Sequence, residues 1–146
     1  MTNKYSYQGE ETKTARATVR DANASWKHLN EICHAIKGMN VDKAIKYLNT
    51  VVEMKDHIPM RRYNTGVPHR VGGQPGRYLT KTVKIMIKLV ENAKANADFK
   101  GMKTENLKIV HATASKAGTI HRIKSKGKSH TMDIDLANAE LVLREV

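Results

Sequence analysis

The 146-residue sequence lacks the features of a secreted or membrane protein. Its single cysteine, Cys33, excludes an intramolecular disulfide, which indicates a reducing compartment. The first residues lack the apolar run of a signal peptide, and no stretch approaches the roughly 20 apolar residues that a membrane-spanning helix requires. We therefore expect a soluble, intracellular protein without a membrane partner.

Acidic residues are missing from two long windows, His57 to Val90 and Asn106 to Met132. These windows hold half of the 26 lysines and arginines, so the rest of the chain is nearly neutral. A concentrated positive charge attracts polyanions, because each neutralised phosphate releases condensed counterions. Nucleic acid is the expected partner, since an anionic membrane surface would require an amphipathic helix whose apolar face is not needed for a core.

The same windows contain no carboxylate that could serve as a general base, and Cys33 lies on a helix face with core periodicity. The sequence GKS at 127–129 resembles the end of a phosphate-binding loop, but Arg122 occupies the position of the required glycine and no long helix follows. The seven histidines show no zinc-ligand spacing. We expect no enzyme activity, no cofactor, no metal and no small-molecule substrate. A nucleotide-dependent enzyme built on Lys128 or on the Gly72 loop is one alternative.

Apolar periodicity predicts three helices. The first follows the N-cap candidate Ser25 and closes at Gly38, and the second runs from Asn40 to near Lys55. The third, expected over roughly 77–98, has the clearest signal. Its apolar seam consists of Leu79, Val83, Met86, Val90, Ala93 and Ala97.

Alternation at period two predicts a short strand over 15–20 and the arms of a hairpin that begin with 107–114 and 131–136. A phase slip in the second arm suggests a bulge or bend near Ala137–Asn138. Each arm has room for about 15 residues and a reach of ~50 Å. Because an isolated two-stranded hairpin is marginal in water, we expect this arm to become ordered against its partner.

These elements predict an α+β fold, a small body of three helices packed on an antiparallel sheet, with a long protruding β-hairpin. We expect a single domain over 1–146. The body covers about 12–106 plus the base of the C-terminal strands, and the hairpin covers about 107–146 with its tip at about 121–130.

An irregular loop is predicted over 59–77, and a loop of this length is usually functional or disordered. Its residues Arg61 to Asn64 combine two guanidinium groups, an aromatic ring and an amide, which suit phosphates and unstacked bases. The stretch Gly72 to Arg77 leads into a helix N-terminus that favours a phosphate group. A flexible loop that ends in a helix cap is the alternative interpretation.

Three lysines of the third helix, Lys81, Lys84 and Lys88, share one face and precede the first compensating acid, Glu91. They either contact phosphate or are simply solvated. Trp26, in contrast, is expected in the core rather than as a stacking platform.

Five runs of residues, spread over nearly the whole chain, belong together: AIKGMNVDKAIKYL, IPMRRYNTGV, ENAKANADFKGM, LKIVHATASKAG and AELVLREV. In this order they resemble the universal large-subunit ribosomal protein twenty-two family, in its archaeal and eukaryotic branch, called large-subunit protein seventeen in eukaryotes. The resemblance implies a body bound to large-subunit rRNA near the polypeptide exit tunnel. It also implies a hairpin along the tunnel wall, opposite an extension of large-subunit protein four and in contact with the nascent polypeptide. The implied location is the cytoplasm, within the ribosome, with nucleolar assembly in a eukaryote.

On this interpretation the residues expected to contact RNA are Arg61, Arg62, Tyr63, Asn64, His69, Arg70, Arg77, Lys81, Lys84, Lys88, Lys116, Arg122, Lys124, Lys126, Lys128 and His130. The residues of the tip expected to face the tunnel are His121, Arg122, Ile123, Lys124, Ser125 and Lys126. The other alternative is a free-standing RNA- or DNA-binding module that is not integral to the ribosome.

Overall fold

The computed structural model describes residues 5–9, 13–123 and 131–146. The elements are β1 (Thr14–Ala22), α1 (Trp26–Ile36), α2 (Val41–Val52), β2 (Ile58–Pro59), β3 (Gly76–Arg77), α3 (Thr80–Phe99), a 3-10 turn (Thr104–Asn106), β4 (Leu107–Ile123) and β5 (Thr131–Glu145). Strands β1, β5 and β4 form an antiparallel sheet in that order, and the helices pack on one of its faces. This arrangement confirms the predicted α+β fold with a long hairpin. No helix within the described ranges is long and apolar enough to cross a membrane.

The core lies between the three helices and the face of the sheet that they cover. All six residues of the predicted α3 seam are buried. Strand β5 contributes Ala137, Ala139, Leu141 and Leu143 at alternate positions, as expected for a strand with one buried face. Cys33 is buried as predicted, and this burial raises the pKa of its thiol to about 12.

The loop between α2 and α3 is more regular at its ends than the sequence predicts. Ile58–Pro59 pairs with Gly76–Arg77, so the irregular loop predicted over 59–77 starts and ends in a short antiparallel ladder. Because residue 77 belongs to this ladder, α3 begins at Thr80 rather than at 77. The ladder fixes the direction in which the loop enters α3.

The irregularity predicted near Ala137–Asn138 lies on the partner strands rather than in β5. Strand β4 contains an extra residue between Lys116 and Thr119, and β1 contains one between Val19 and Ala22. Both bulges lie beside the same part of β5. The predicted location along β5 is therefore right, but the predicted strand is wrong.

The phase slip has a different cause, which is a change in the apolar face of β5. Leu141 and Leu143 face the helices, whereas Ile134 and Leu136 occupy alternate positions on the opposite face and are only half-buried. We call the face of the sheet that is turned away from the helices the outer face. In the part of β5 that precedes Ala137, the apolar side chains therefore lie on the outer face.

Residues 5–9 cover the outer face near the base of the hairpin. The Ser6 hydroxyl donates a hydrogen bond to Oε2 of Glu140 (2.7 Å) and lies 3.1 Å from Nε2 of His111. The Tyr7 ring lies 5.5 Å from the His111 ring, measured between centroids. Both faces of the sheet are therefore in contact with other parts of the chain at its base.

Gly38 ends α1 with a φ of 86°, and its N–H donates to the carbonyl of Ile109 in β4 (2.8 Å). Because a Cβ is unfavourable at positive φ, we expect Gly38→Ala to lower the free energy of unfolding by about 1–2 kcal/mol in urea titrations. Gly118 in β4 has open space around it and no positive φ, which makes Gly118→Ala the matched control. Equal losses in the two variants would contradict this explanation.

Candidate nucleic-acid interface

A buried carboxylate of α1 holds the loop that contains the predicted Arg-Arg-Tyr-Asn motif. Glu31 is 1% exposed, and its Oε1 accepts hydrogen bonds from the backbone N–H groups of Arg62 (2.8 Å) and Tyr63 (3.0 Å). Its Oε2 accepts one from the N–H of Arg61 (3.1 Å). Burial alone would raise the pKa of the Glu31 carboxyl, but these three hydrogen bonds and nearby His34 lower it below its ordinary value. With the backbone fixed in this way, the side chains of Arg61 and Arg62 are exposed.

The ring of Tyr63 is the centre of an aromatic and cationic group, the Tyr63 cluster, formed with Trp26, Lys27 and Arg62. Trp26 meets Tyr63 edge-on with 5.6 Å between ring centroids, and it is only partly buried, packed against the core rather than within it as predicted. Lys27 Nζ lies 5.4 Å from the Tyr63 centroid, and the guanidinium carbon of Arg62 lies 5.9 Å from it. Aromatic rings flanked by cations are suited to stacking with unpaired bases beside neutralised phosphates.

A cleft of about 320 Å³ opens between the Tyr63 cluster and β3. Its lining consists of Lys27, His28, Met60, Arg62, Tyr63, Thr65 and Arg77, which includes three cations and no carboxylate. Arg77 Nη1 lies 3.4 Å from His28 Nε2. Burial, with a smaller contribution from Arg77, lowers the pKa of His28, so its ring is neutral at pH 7.

A second cleft, of about 450 Å³, adjoins the first at His28 and lies between the starts of α1 and α3. The N-cap residues of these helices, Ser25 and Leu79, make no side-chain capping hydrogen bond, so N–H groups of both first turns are left without a side-chain cap. Lys81 also lines this cleft, and its amine donates to Oδ1 of Asn23 (3.1 Å). Two positive helix ends and a lysine thus border one space, which Asp135 of β5 also lines.

The rest of the loop carries the other predicted residues. The Arg70 guanidinium stacks over the Tyr78 ring at 4.7 Å and is half-buried, so it supports the loop as well as adding charge. Asn64 and Arg61 line a further cleft of about 480 Å³. His69, five residues after Asn64 in the chain, is exposed. The structure therefore brings Arg62, Tyr63 and Arg77 together in the cleft beside the start of α1, and Arg61 and Asn64 together in a separate cleft.

The lysine stripe of α3 is exposed throughout, but only its first member reaches a cleft between the helix starts. Lys84 and Lys88 continue along the helix, and Lys88 lies at the rim of a mostly apolar groove between β1 and α3. Whether these two lysines contact phosphate stays a prediction.

On the hairpin, the predicted contacts separate into three groups. Lys116 is paired with Asp135, with 2.9 Å between Nζ and Oδ1, so an acid from β5 partly neutralises it. His121, Arg122 and Ile123 are exposed at the end of β4. Outside the described residues lie Lys124, Ser125, Lys126, Lys128 and His130, so the predictions for them stay predictions.

Three residues of this surface are absent from the sequence-based predictions: Lys27, His28 and Glu31. Lys27 and His28 belong to the first turn of α1, next to the Ser25 cap. Two basic residues directly after a tryptophan were the sequence feature that could have indicated a nucleic-acid contact here. Glu31 adjoins the apolar stripe of α1, and an acid at such a position indicates a buried partner.

The geometry defines the class of protein: a small α+β body whose cationic clefts, arranged around aromatic rings, are of the kind that attract polyanions, with a long two-stranded arm. Residues 17–143 match the family described as ribosomal protein L22p/L17e. The chain belongs to this family, which confirms the resemblance seen in its motifs.

The relatives have similar length as well as similar sequence. The large ribosomal subunit protein uL22 of Methanococcus aeolicus is 38% identical, with 97% of this chain and 95% of the relative covered. Its counterpart in Thermofilum pendens is 40% identical, with 98% and 97% covered. The uL22 protein of Archaeoglobus fulgidus is 42% identical, with 94% and 93% covered. The similarity thus includes both the body and the hairpin.

Proposed function

We propose that this chain is a structural constituent of the large ribosomal subunit that binds large-subunit rRNA and lines the polypeptide exit tunnel with its β-hairpin. The observation that carries the proposal is the Tyr63 cluster and its cleft, where three cations and two aromatic rings lie on a backbone fixed by Glu31. Family membership and the name of the relatives, large ribosomal subunit protein, support the same assignment. We also propose that residues 1–146 act as a single domain.

In this function the body anchors the protein to rRNA, and the hairpin extends from the body along the tunnel wall. Arg61, Arg62, Arg77 and Lys81 neutralise rRNA phosphates, and the Tyr63 ring stacks on an unpaired base. The hairpin orders against the RNA, next to neighbouring subunit proteins that include protein four, and borders the path of the nascent polypeptide. The role is structural and requires no catalysed reaction, cofactor or small-molecule substrate. It places the protein in the cytoplasm, with nucleolar assembly if the source is eukaryotic.

Sedimentation of a cell extract tests this proposal directly. We expect the protein to travel with the large subunit in a sucrose gradient and to remain bound after a wash at about 0.5 M salt. Salt weakens each phosphate contact, but the protein is released only when all of these contacts and those of the hairpin are broken at the same time. Recovery at the top of the gradient, or release at modest salt, would show instead a free nucleic-acid-binding module.

A further inference from the structure

The edge of the sheet at β1 is only partly covered. Strand β1 lies at the end of the three-stranded order, so one side of its backbone has no partner strand among the described residues. Two side chains from the last turn of α3 and its C-cap cover part of this side. The Lys100 amine donates to the carbonyl of Thr14 (2.8 Å), and the Asn96 amide donates to that of Arg16 (2.9 Å). This cover is important because uncovered backbone groups on an edge strand can pair with another chain.

The cover by side chains of α3 stops before Thr18. Four residues of an α-helix rise ~6 Å and two residues of a strand extend ~6.7 Å, so side chains one turn apart on α3 meet alternate residues of β1. The same spacing brings Asn92 beside Thr18, and both residues line one groove. Asn92 is exposed and makes no hydrogen bond with any residue that the structure describes. Because alternate residues of a strand direct their N–H and C=O groups to the same side, the backbone of Thr18 faces this edge like that of Arg16, and no described side chain donates to its carbonyl.

A groove of about 370 Å³ opens along this uncovered part of the edge, between β1 and α3. It is lined by Thr18, Val19, Ala22, Ile85, Lys88, Leu89 and Asn92. Leu89 is buried in the core, whereas Val19 and Ile85 pack against the core and stay partly exposed. The one charged residue of this lining is Lys88, and it is exposed. The groove therefore combines an apolar floor, an open strand edge and a single cation.

We infer that this groove binds an extended segment of a neighbouring large-subunit protein, which adds a strand beside β1 and pairs a carboxylate with Lys88. This inference rests on the proposed function and adds to it a surface for a protein partner. The N–H and C=O groups of an extended segment have the spacing that matches the backbone of Thr18 at the open edge. Alternate side chains of an added strand point to the same face, so apolar residues at alternate positions of the segment pack against Ile85 and Leu89.

The chemistry of the groove favours a protein segment over RNA as its occupant. The cleft beside the Tyr63 cluster has three cations in its lining, which suits phosphates, whereas this groove has one cation, and its remaining side chains are aliphatic, hydroxyl or amide groups. RNA has no aliphatic side chains with which to exclude water from Val19 and Ile85. A single carboxylate complements the single charge of Lys88. The inference therefore assigns Lys88 to a carboxylate of a protein rather than to a phosphate.

Coupling with a carbodiimide tests the ion pair in the unmodified chain, because this reagent joins an amine directly to a carboxylate that is in contact with it. In large subunits purified from the gradient, we expect peptide mapping to find Lys88 joined to an aspartate or glutamate of another protein, within a run that has apolar residues at alternate positions. Lys84, one turn earlier on α3, is also exposed but lies outside the groove, so it should give no such product. Absence of a Lys88 product, equal products from both lysines, or an acid in a run without that pattern would overturn the inference.

Protection of an introduced thiol tests whether the groove is covered. Asn92 lines the groove, and the adjacent Glu91 is exposed and lies outside it, which makes Asn92→Cys and Glu91→Cys matched probes. The native thiol does not interfere, because Cys33 is 1% exposed and burial raises its pKa to about 12. Between the free protein and the assembled subunit, the rate of reaction with a small thiol reagent should fall at least about tenfold more for Asn92→Cys than for Glu91→Cys.

The outcomes separate this inference from the proposed function. Equal changes in the two rates, in variants that still sediment with the large subunit, would overturn the inference and leave the proposed function intact. Protection of Asn92→Cys without a Lys88 product would show that RNA covers the groove, and it would overturn protein as the partner. If the unmodified chain does not sediment with the subunit, both proposals fail.

Discussion

Glu31→Gln is expected to lower the free energy of unfolding by about 2–4 kcal/mol, because the buried carboxylate accepts three backbone hydrogen bonds. The amide oxygen of glutamine can still accept from Arg62 and Tyr63, but its NH₂ group then points at the N–H of Arg61. The N–H of Arg61 then loses its partner, and the remaining hydrogen bonds lose the assistance of the negative charge. Urea titrations followed by the fluorescence of the single tryptophan measure this loss, since Trp26 contacts the loop through Tyr63.

The same variant has a defined pH signature. Because the pKa of Glu31 is lowered by folding, the charged carboxylate stabilises the fold fully above its ordinary value of 4.5, and this contribution is lost as the pH falls through the lower folded-state value. The difference between wild type and Glu31→Gln should therefore shrink below pH 4.5. Glu91→Gln makes the same chemical change at an exposed position of α3 and should alter stability by less than about 0.5 kcal/mol. A difference that stays constant down to pH 3 would show that Glu31 acts through packing alone.

The double variant Arg62→Gln with Arg77→Gln is expected to weaken binding to a large-subunit rRNA transcript by about 10- to 100-fold at 0.1 M salt, since removing one arginine from a phosphate costs roughly 1 kcal/mol. Both side chains line the cleft beside the Tyr63 cluster, and neither is needed for the core. The slope of log affinity against log salt concentration should fall by about two, because two phosphates are no longer neutralised by the protein. Filter binding over a range of salt concentrations measures both quantities.

A charge-matched control separates local binding from the net charge of the chain. Lys43 and Lys46 are exposed on α2 and line none of the clefts described above. Lys43→Gln with Lys46→Gln removes the same charge and should change the affinity by less than about threefold. If both double variants weaken binding equally, a diffuse field rather than the Tyr63 cleft is responsible.

Local sequence patterns predicted most of the elements correctly because their causes are local. The apolar seam of α3 repeats over five turns, and all of its members are buried. The alternation in β4 and β5 predicted a hairpin, although both strands are longer than the clearest alternating runs. The Arg61–Asn64 motif was recognised from its side chains alone, and the structure places it beside a basic cleft.

The interactions that the sequence did not reveal join residues that are distant along the chain. Glu31 is separated from the Arg61–Tyr63 backbone by a whole helix, and no local pattern connects them. The ladder between Ile58–Pro59 and Gly76–Arg77 depends likewise on how the loop folds back, and it moved the start of α3. The change of apolar face along β5 cannot be distinguished from a bulge in the sequence. Both move the alternating apolar residues from odd to even positions.

The central position of β5 has a consequence for the order in which the chain can fold during synthesis. Strand β5 lies between β1 and β4, so neither of those strands has a partner in the sheet until residues 131–145 have been made. The helices can form earlier, but the core they share with the sheet cannot close. For most of its synthesis this basic chain therefore exposes an unpaired β1 and a half-formed core, and β4 joins them unpaired shortly before β5 is made. In this state early capture by a chaperone or by RNA would protect the chain from aggregation.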